Sequence, residues 1–264
     1  MDITFRTLAD LLVSRPLTLD VEIEEECCGP FSIKGIELEA TVMHLGLRDY
    51  VKLSLLLSPS EMLVYQNMFL AWIRESFRNS RFSVVESKLD HAVLLLFSKS
   101  FGSEDPFVDA LRTARWLGEN DTLKFCPAIG IASGTVMAGF TGSGGDARAS
   151  VFGRPLLVAS ACAMLNPKVD AASAITFPGN EWDGRSLECV FPPVEYDHPD
   201  KGRVRLPSTW KLGELSEADL PGIGRFLLRD IANFIHWMPS VSASDKACEW
   251  VRLMRAKGFY RKIN

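Results

Sequence analysis

The 264-residue chain predicts an α/β (α+β) fold on a ferredoxin-like βαββαβ core, and three observations carry that prediction. Segments with the two-residue period of strands alternate with segments of helical period, in the order strand, helix, hairpin, helix, hairpin, helix, strand. Ser58-Pro59-Ser60-Glu61 is a helix start with a serine cap, an early proline and an acid in the first turn. Met62, Tyr65, Phe69, Trp72, Ile73 and Phe77 follow it at helical spacing, as a core stripe does. Ala92 to Phe97 is apolar at every position, which marks a central strand covered on both faces.

The remaining elements follow in order. Thr4 to Val13 reads as a short helix, and Leu17 to Ile23 alternates apolar and charged residues like a strand. Cys28-Gly29-Pro30 reads as a turn. Glu37 to Leu45 is the first core strand. Phe82 to Val85 is the hairpin arm that precedes Ala92–Phe97. Asp105-Pro106 opens a second helix running through Leu117. Phe125 to Phe140 reads as two strands about Ser133-Gly134, and a loose loop, residues 142–146, follows. Leu156 to Leu165 is a helix of small residues, and Ala174 to Phe177 a short strand. Pro192 to Trp210 is turn-rich, with a closing strand at Arg203 to Leu206. Residues 216–238 and 244–257 read as two helices, the first with Phe226, Leu227, Ile231, Phe234 and Ile235 on one stripe, and Trp237 and Trp250 as anchors. Packing on the core is the default for such a stripe, and a protein partner the other reading. The chain thus divides into an N-terminal extension (1–35), a core domain (36–215) and a helical C-terminal extension (216–264).

Composition narrows the function classes. With 47% hydrophobic residues and a net charge of -4, the chain buries a sizeable core and has no basic excess for nucleic acid or an anionic membrane. The six cysteines show neither a zinc-ligand spacing nor a disulfide framework. No apolar run approaches the ~20 residues of a membrane span. A cytoplasmic protein with reduced thiols is the expectation, and no P-loop or dinucleotide fingerprint is present.

Gly130-Ile131-Ala132-Ser133-Gly134-Thr135-Val136-Met137-Ala138-Gly139-Phe140-Thr141-Gly142 carries a resemblance. It is similar to the Gly-Ile-x-x-Gly-x-Val-x-x-Gly-x-x-Gly hairpin of class III nucleotide cyclases, the adenylate and guanylate cyclases, with every fixed position present. Val151-Phe152-Gly153 and Pro155 to Ala161 resemble the segment that follows in the family, and Val85 to Val93 resembles the strand bearing its second metal aspartate. The resemblance covers roughly residues 36–215 and implies the cyclase homology fold, a head-to-tail homodimer with composite sites, and attack of a ribose 3′-oxygen on the α-phosphate. That chemistry takes two magnesium or manganese ions held by carboxylates.

Carried over position by position, the resemblance implies a degenerate member. The first metal aspartate falls on His44, a poor magnesium ligand, and Asp49 lies five residues on. The second falls on Asp90 counted from Val84-Val85, or on His91 counted back from Phe97. Two buried, uncharged histidines outweigh a transition-metal site made from His44 and His91. The ribose asparagine and phosphate arginine fall on Leu157 and Ala161; losing one such donor costs ~3–4 kcal/mol of transition-state stabilisation. Arg154 is near in sequence but three and seven residues away from those positions. Gly46 and Arg48 lie in the phosphate loop, and Glu86 and Ser150 at the base-selecting positions; the bland readings of the latter two are a solvated hairpin residue and an ordinary strand residue. The resulting expectation is a regulatory dimer binding a nucleotide, another small ligand or a protein partner, with no efficient cyclase activity. The alternative is an active, atypical cyclase using magnesium or manganese.

Overall fold

The computed structural model describes residues 7–23, 31–77, 83–87, 92–121, 125–141, 147–165, 171, 173–234 and 243–258. A short helix α1 (Leu8–Ser14) and strand β1 (Leu19–Ile23) precede the long strand β2 (Phe31–Gly46). After helix α2 (Tyr50–Leu56), which sequence reasoning missed, come α3 (Pro59–Ser76), β3 (Ser83–Ser87), β4 (Ala92–Phe97), α4 (Pro106–Glu119) and β5 (Ala128–Thr141). Then follow β6 (Arg148–Phe152), α5 (Arg154–Met164) and β7 (Ser173–Pro178).

Strands β5-β2-β4-β3 are neighbours in that order, all antiparallel. Numbered by their place in the βαββαβ unit this is 4-1-3-2, the predicted ferredoxin-like arrangement. β7 extends the sheet parallel to β5, on the far side of the α5 crossover. Local chemistry explains the elements. Ser58 accepts from the Glu61 amide, and the Glu61 carboxylate accepts from the Ser58 amide at 2.9 Å, a closed capping box for α3. Asp105 caps α4 by accepting from the Val108 amide at 3.1 Å.

Both faces of the sheet are covered. Met43, Leu45, Val93, Leu95 and Ile131 face α3 and α4, where Tyr65, Phe69 and Ile73 pack as the expected core stripe. The rings of Phe69 and Phe125 meet edge-on at 5.4 Å. Val42, Leu94, Leu96 and Ala132 face α1 and α5. β4 is therefore buried at all six positions, as its sequence required.

Three expectations are corrected. Residues 128–141 form one strand, not two: Ser133 and Gly134 stay paired with Thr41 and Ala40 of β2. Gly134 takes φ 148° within the unbroken strand, a conformation glycine adopts without cost. The strand at Arg203–Leu206 does not close the main sheet. It is part of β9 (Gly202–Leu206), which pairs with β8 (Val194–His198) in a separate exposed ribbon after the four-residue helix α6 (Leu187–Val190). Residues 216–233, finally, are not helical. β10 (Trp210–Leu212), β11 (Ser216–Leu220) and β12 (Gly224–Asn233) are strands, and β12 pairs with β7 through the register from Leu228↔Pro178 to Asn233↔Ser173. The turn at Pro221-Gly222, with Gly222 at φ 74° and Gly224 at φ 116°, defeats the helical period. The sheet thus runs past residue 215, and among the described residues beyond it the one helix is α7 (Ala243–Ala256). It packs on the core through Ala247 and Val251, and Arg255 pairs with Glu61 at 2.8 Å. Trp237 and residues 235–242 lie outside the described residues.

Candidate functional site

Alternation along β2 sends Met43 and Leu45 to one face of the sheet and Val42 and His44 to the other. His44 is 7% exposed and stands opposite Leu94 of β4 and Gly130 of β5. Glu86 of β3 is opposite Leu94 in turn. Glu86, Leu94, His44 and Gly130 thus form one row across the sheet, which brings two of the sequence-predicted positions to the same level. Asp90 and His91 lie outside the described residues.

The end of α5 lies directly on this row. A Cβ on Gly130 would come within 2.5 Å of the Ala163 amide nitrogen and closer still to the Ala159 carbonyl oxygen. Glycine is required here by the approach of a helix backbone. Leu157 is 57% exposed on α5, whereas Ala161 is half-buried against the apolar cluster. Neither side chain has a polar atom. Arg154 lies over the ring of Phe226 at 5.3 Å from its centroid, which anchors it to β12.

Gly46 closes β2, paired with Ala92 and Ala128. Arg48 turns inward: its Nη1 donates to the Ala171 carbonyl at 3.2 Å. Burial pulls its pKa below the usual guanidinium value, against the opposing fields of Cys126, Asp49 and Asp121. Asp49 starts α2 in the left-handed conformation at φ 56°. Ser150 belongs to β6, opposite Gly139, and its hydroxyl meets that of Thr141 at 3.0 Å. Gly139 and Gly130 are nine residues apart on β5, about 30 Å of strand contour.

Magnesium prefers carboxylate oxygens, and His44, where the resemblance implies an aspartate, is a buried imidazole. No group of three or more His, Cys, Asp or Glu able to hold a metal occurs among the described residues. Among the described residues, His44 and its row neighbours Leu94 and Gly130 supply no carboxylate for a divalent cation.

Sequence reasoning missed a second polar cluster, on the α4 side of the sheet. The Ser133 amide and hydroxyl donate to the Glu181 carboxylate at 2.7 and 2.5 Å. Burial raises the pKa of Glu181, and the Ser133 hydrogen bonds and Arg185 only partly oppose it. Arg185 forks onto Asp105 and lies over the Phe107 ring at 5.2 Å. No sequence signal points to this cluster, because its members come from a strand, a helix cap and a turn far apart in the chain.

No protein-family model and no curated protein matches the chain. Solved structures do. The guanylate cyclase domain of RhGC from Catenaria anguillulae, in complex with GTP, is 15% identical with a TM-score of 0.55, over 75% of this chain and 99% of that one. The adenylyl cyclase CyaB from P. aeruginosa is 11% identical with a TM-score of 0.55, over 78% and 99%. A bacterial light-regulated adenylyl cyclase is 13% identical with a TM-score of 0.53 over 82% of this chain; the chain spans 59% of its length. The fold is that of the class III cyclase homology domain. No helix among the described residues is long and apolar enough to cross a membrane.

Proposed function

We propose that this chain is a catalytically degenerate class III cyclase-like protein, acting in the cytoplasm as a regulatory dimer that binds a ligand or partner. One observation carries the reading. The helix that lies on the His44 row presents Leu157 and Ala161 where the resemblance asks for an asparagine and an arginine. Neither residue can donate a hydrogen bond to a ribose or to the charge developing on a phosphate. The buried imidazole of His44 at a carboxylate position agrees with it. Leu157 and Met164 on α5, with Phe152 just before it, are exposed apolar residues of the kind a two-fold interface buries twice.

The test incubates the purified chain with each of the four ribonucleoside triphosphates, with magnesium and separately with manganese, and reads cyclic product by mass spectrometry. The expected result is no product above the protein-free control. Product that disappears in Asp90→Ala overturns the reading in favour of an active, atypical cyclase. Sedimentation equilibrium tests the dimer: Leu157→Glu, at an exposed position, is expected to shift it toward monomer.

A further inference from the structure

Two cavities of about 580 Å³ each open beside the N-terminus of α4. Both are lined by Glu104, Asp105 and Arg185, so the Asp105–Arg185 ion pair forms the wall between them. The first lies across β2 and β5 at Thr41 and Ser133, whose hydroxyls meet at 2.8 Å. These residues share the face of Met43 and Ile131, opposite to that of His44. Its size falls in the range of small-molecule sites, ~300–1,000 Å³. Ala40, Pro106 and Phe107 give it an apolar wall, and hydroxyls and carboxylates give it a polar one.

Two independent features set the sign of the ligand. The first is hydrogen-bond capacity. The Ser98 hydroxyl donates to the Glu39 carbonyl at 2.7 Å, and the Ser133 hydroxyl donates to Glu181. The Ser98 oxygen also accepts from the Ser100 amide at 3.2 Å and the Ser133 oxygen meets the Thr41 hydroxyl at 2.8 Å, so with its proton committed each has one lone pair left to offer, which suits a donor group. The second is charge. Arg185 is engaged by Asp105 and the Phe107 ring, so among the described residues lining the cavity Lys99 faces the two carboxylates Glu39 and Glu104. An incoming carboxylate or phosphate meets more repulsion than attraction; an ammonium or guanidinium meets the reverse.

We propose that this cavity is a binding site for a small organic cation, a primary amine or guanidine on a short apolar stem. The cation sits among Glu39, Glu104 and the Ser98 and Ser133 hydroxyl oxygens, and the stem lies along Pro106 and Phe107. Isothermal titration calorimetry of the full chain tests this with butylamine and agmatine as probes, and butanol and butyrate as neutral and anionic counterparts. Saturable binding of the cations alone is expected. It weakens roughly tenfold in the double variant Glu39→Gln, Glu104→Gln, both exposed positions, as two charged acceptors become neutral. Lys99→Ala changes affinity the other way and tightens butylamine, which damage to the fold does not do. Absence of saturable heat for either cation up to ~10 mM, tighter binding of butyrate than of butylamine, or unchanged affinity in the double variant overturns the proposal.

Discussion

Replacing Gly130 by alanine tests the packing that defines the candidate site. The added methyl would lie 2.5 Å from the Ala163 nitrogen, where ordinary contact begins at 3.4 Å. Its neighbours on α5 are backbone atoms, which cannot rotate away. The Ala159 carbonyl oxygen lies closer still, so the helix must retreat by more than about 1 Å, a gap that forfeits about half or more of the dispersion well at each contact it opens. Val158, Ala159 and Cys162 all lose contact together. Overpacking of this kind costs ~1–3 kcal/mol, and an unyielding backbone neighbour places Gly130→Ala at the upper end, about 3 kcal/mol. With a urea slope of ~3 kcal/mol/M, the unfolding midpoint falls by about 1 M. Gly184→Ala is the control: its φ is +73° and nothing lies within 4 Å of the new Cβ, so only the left-handed backbone is penalised, at about 1 kcal/mol. A Gly130→Ala midpoint within about 0.2 M of the parent would refute the seating of α5 on the His44 row.

Further outcomes follow from the same geometry. Because burial raises the pKa of Glu181, the folded chain holds its proton above the pH at which the unfolded chain releases it. Stability from this group is therefore greatest below the unfolded pKa and declines as pH rises toward the folded one. Glu181→Gln removes that slope, as chemical denaturation at a series of pH values from 4 upward would read. Asp105→Ala loses both the α4 cap and the Arg185 pair and costs ~1–2 kcal/mol. Asp105→Asn keeps the cap and costs ~0–1 kcal/mol, so the two thermal unfolding curves separate the contributions. Ser58→Ala opens the α3 capping box at a cost of about 1 kcal/mol, read as a lowered unfolding midpoint. Leu157→Asn, exposed in the single chain, leaves monomer stability within ~0.5 kcal/mol, read by the same measurement on protein dilute enough to be monomeric.

The βαββαβ core was legible because each of its elements carries its own local signal. Ser58 and Asp105 are caps with proline behind them, and Ala92–Phe97 has the composition of a strand covered on both faces. The long β5 misled because Ser133-Gly134 has turn chemistry, yet pairing with β2 on one side keeps the chain extended through it. In residues 216–233, apolar spacing compatible with a helix stripe outweighed the Pro221-Gly222 turn. That the resemblance aligns His44, Leu157 and Ala161 with the family's site positions could be read from the motif alone. The inward turn of Arg48, the anchoring of Arg154 on Phe226 and the cluster around Ser133, Glu181 and Arg185 could not. Those depend on which segments the topology brings together, and sequence spacing does not encode that.

The late arrival of β12 has a consequence for synthesis of the chain. β7 pairs with β5 over only three positions, Ala128↔Ala174 to Gly130↔Thr176, but with β12 over six, Asn233↔Ser173 to Leu228↔Pro178. A nascent chain that has emerged through β7 but not through Asn233 presents an open strand edge of apolar residues, Ala174, Ile175 and Phe177, in search of hydrogen-bond partners. During that interval a neighbouring nascent chain can take the place of β12. The speed of translation between residues 178 and 233 therefore bears on the yield of soluble protein, and ribosome stalling within this stretch favours aggregation.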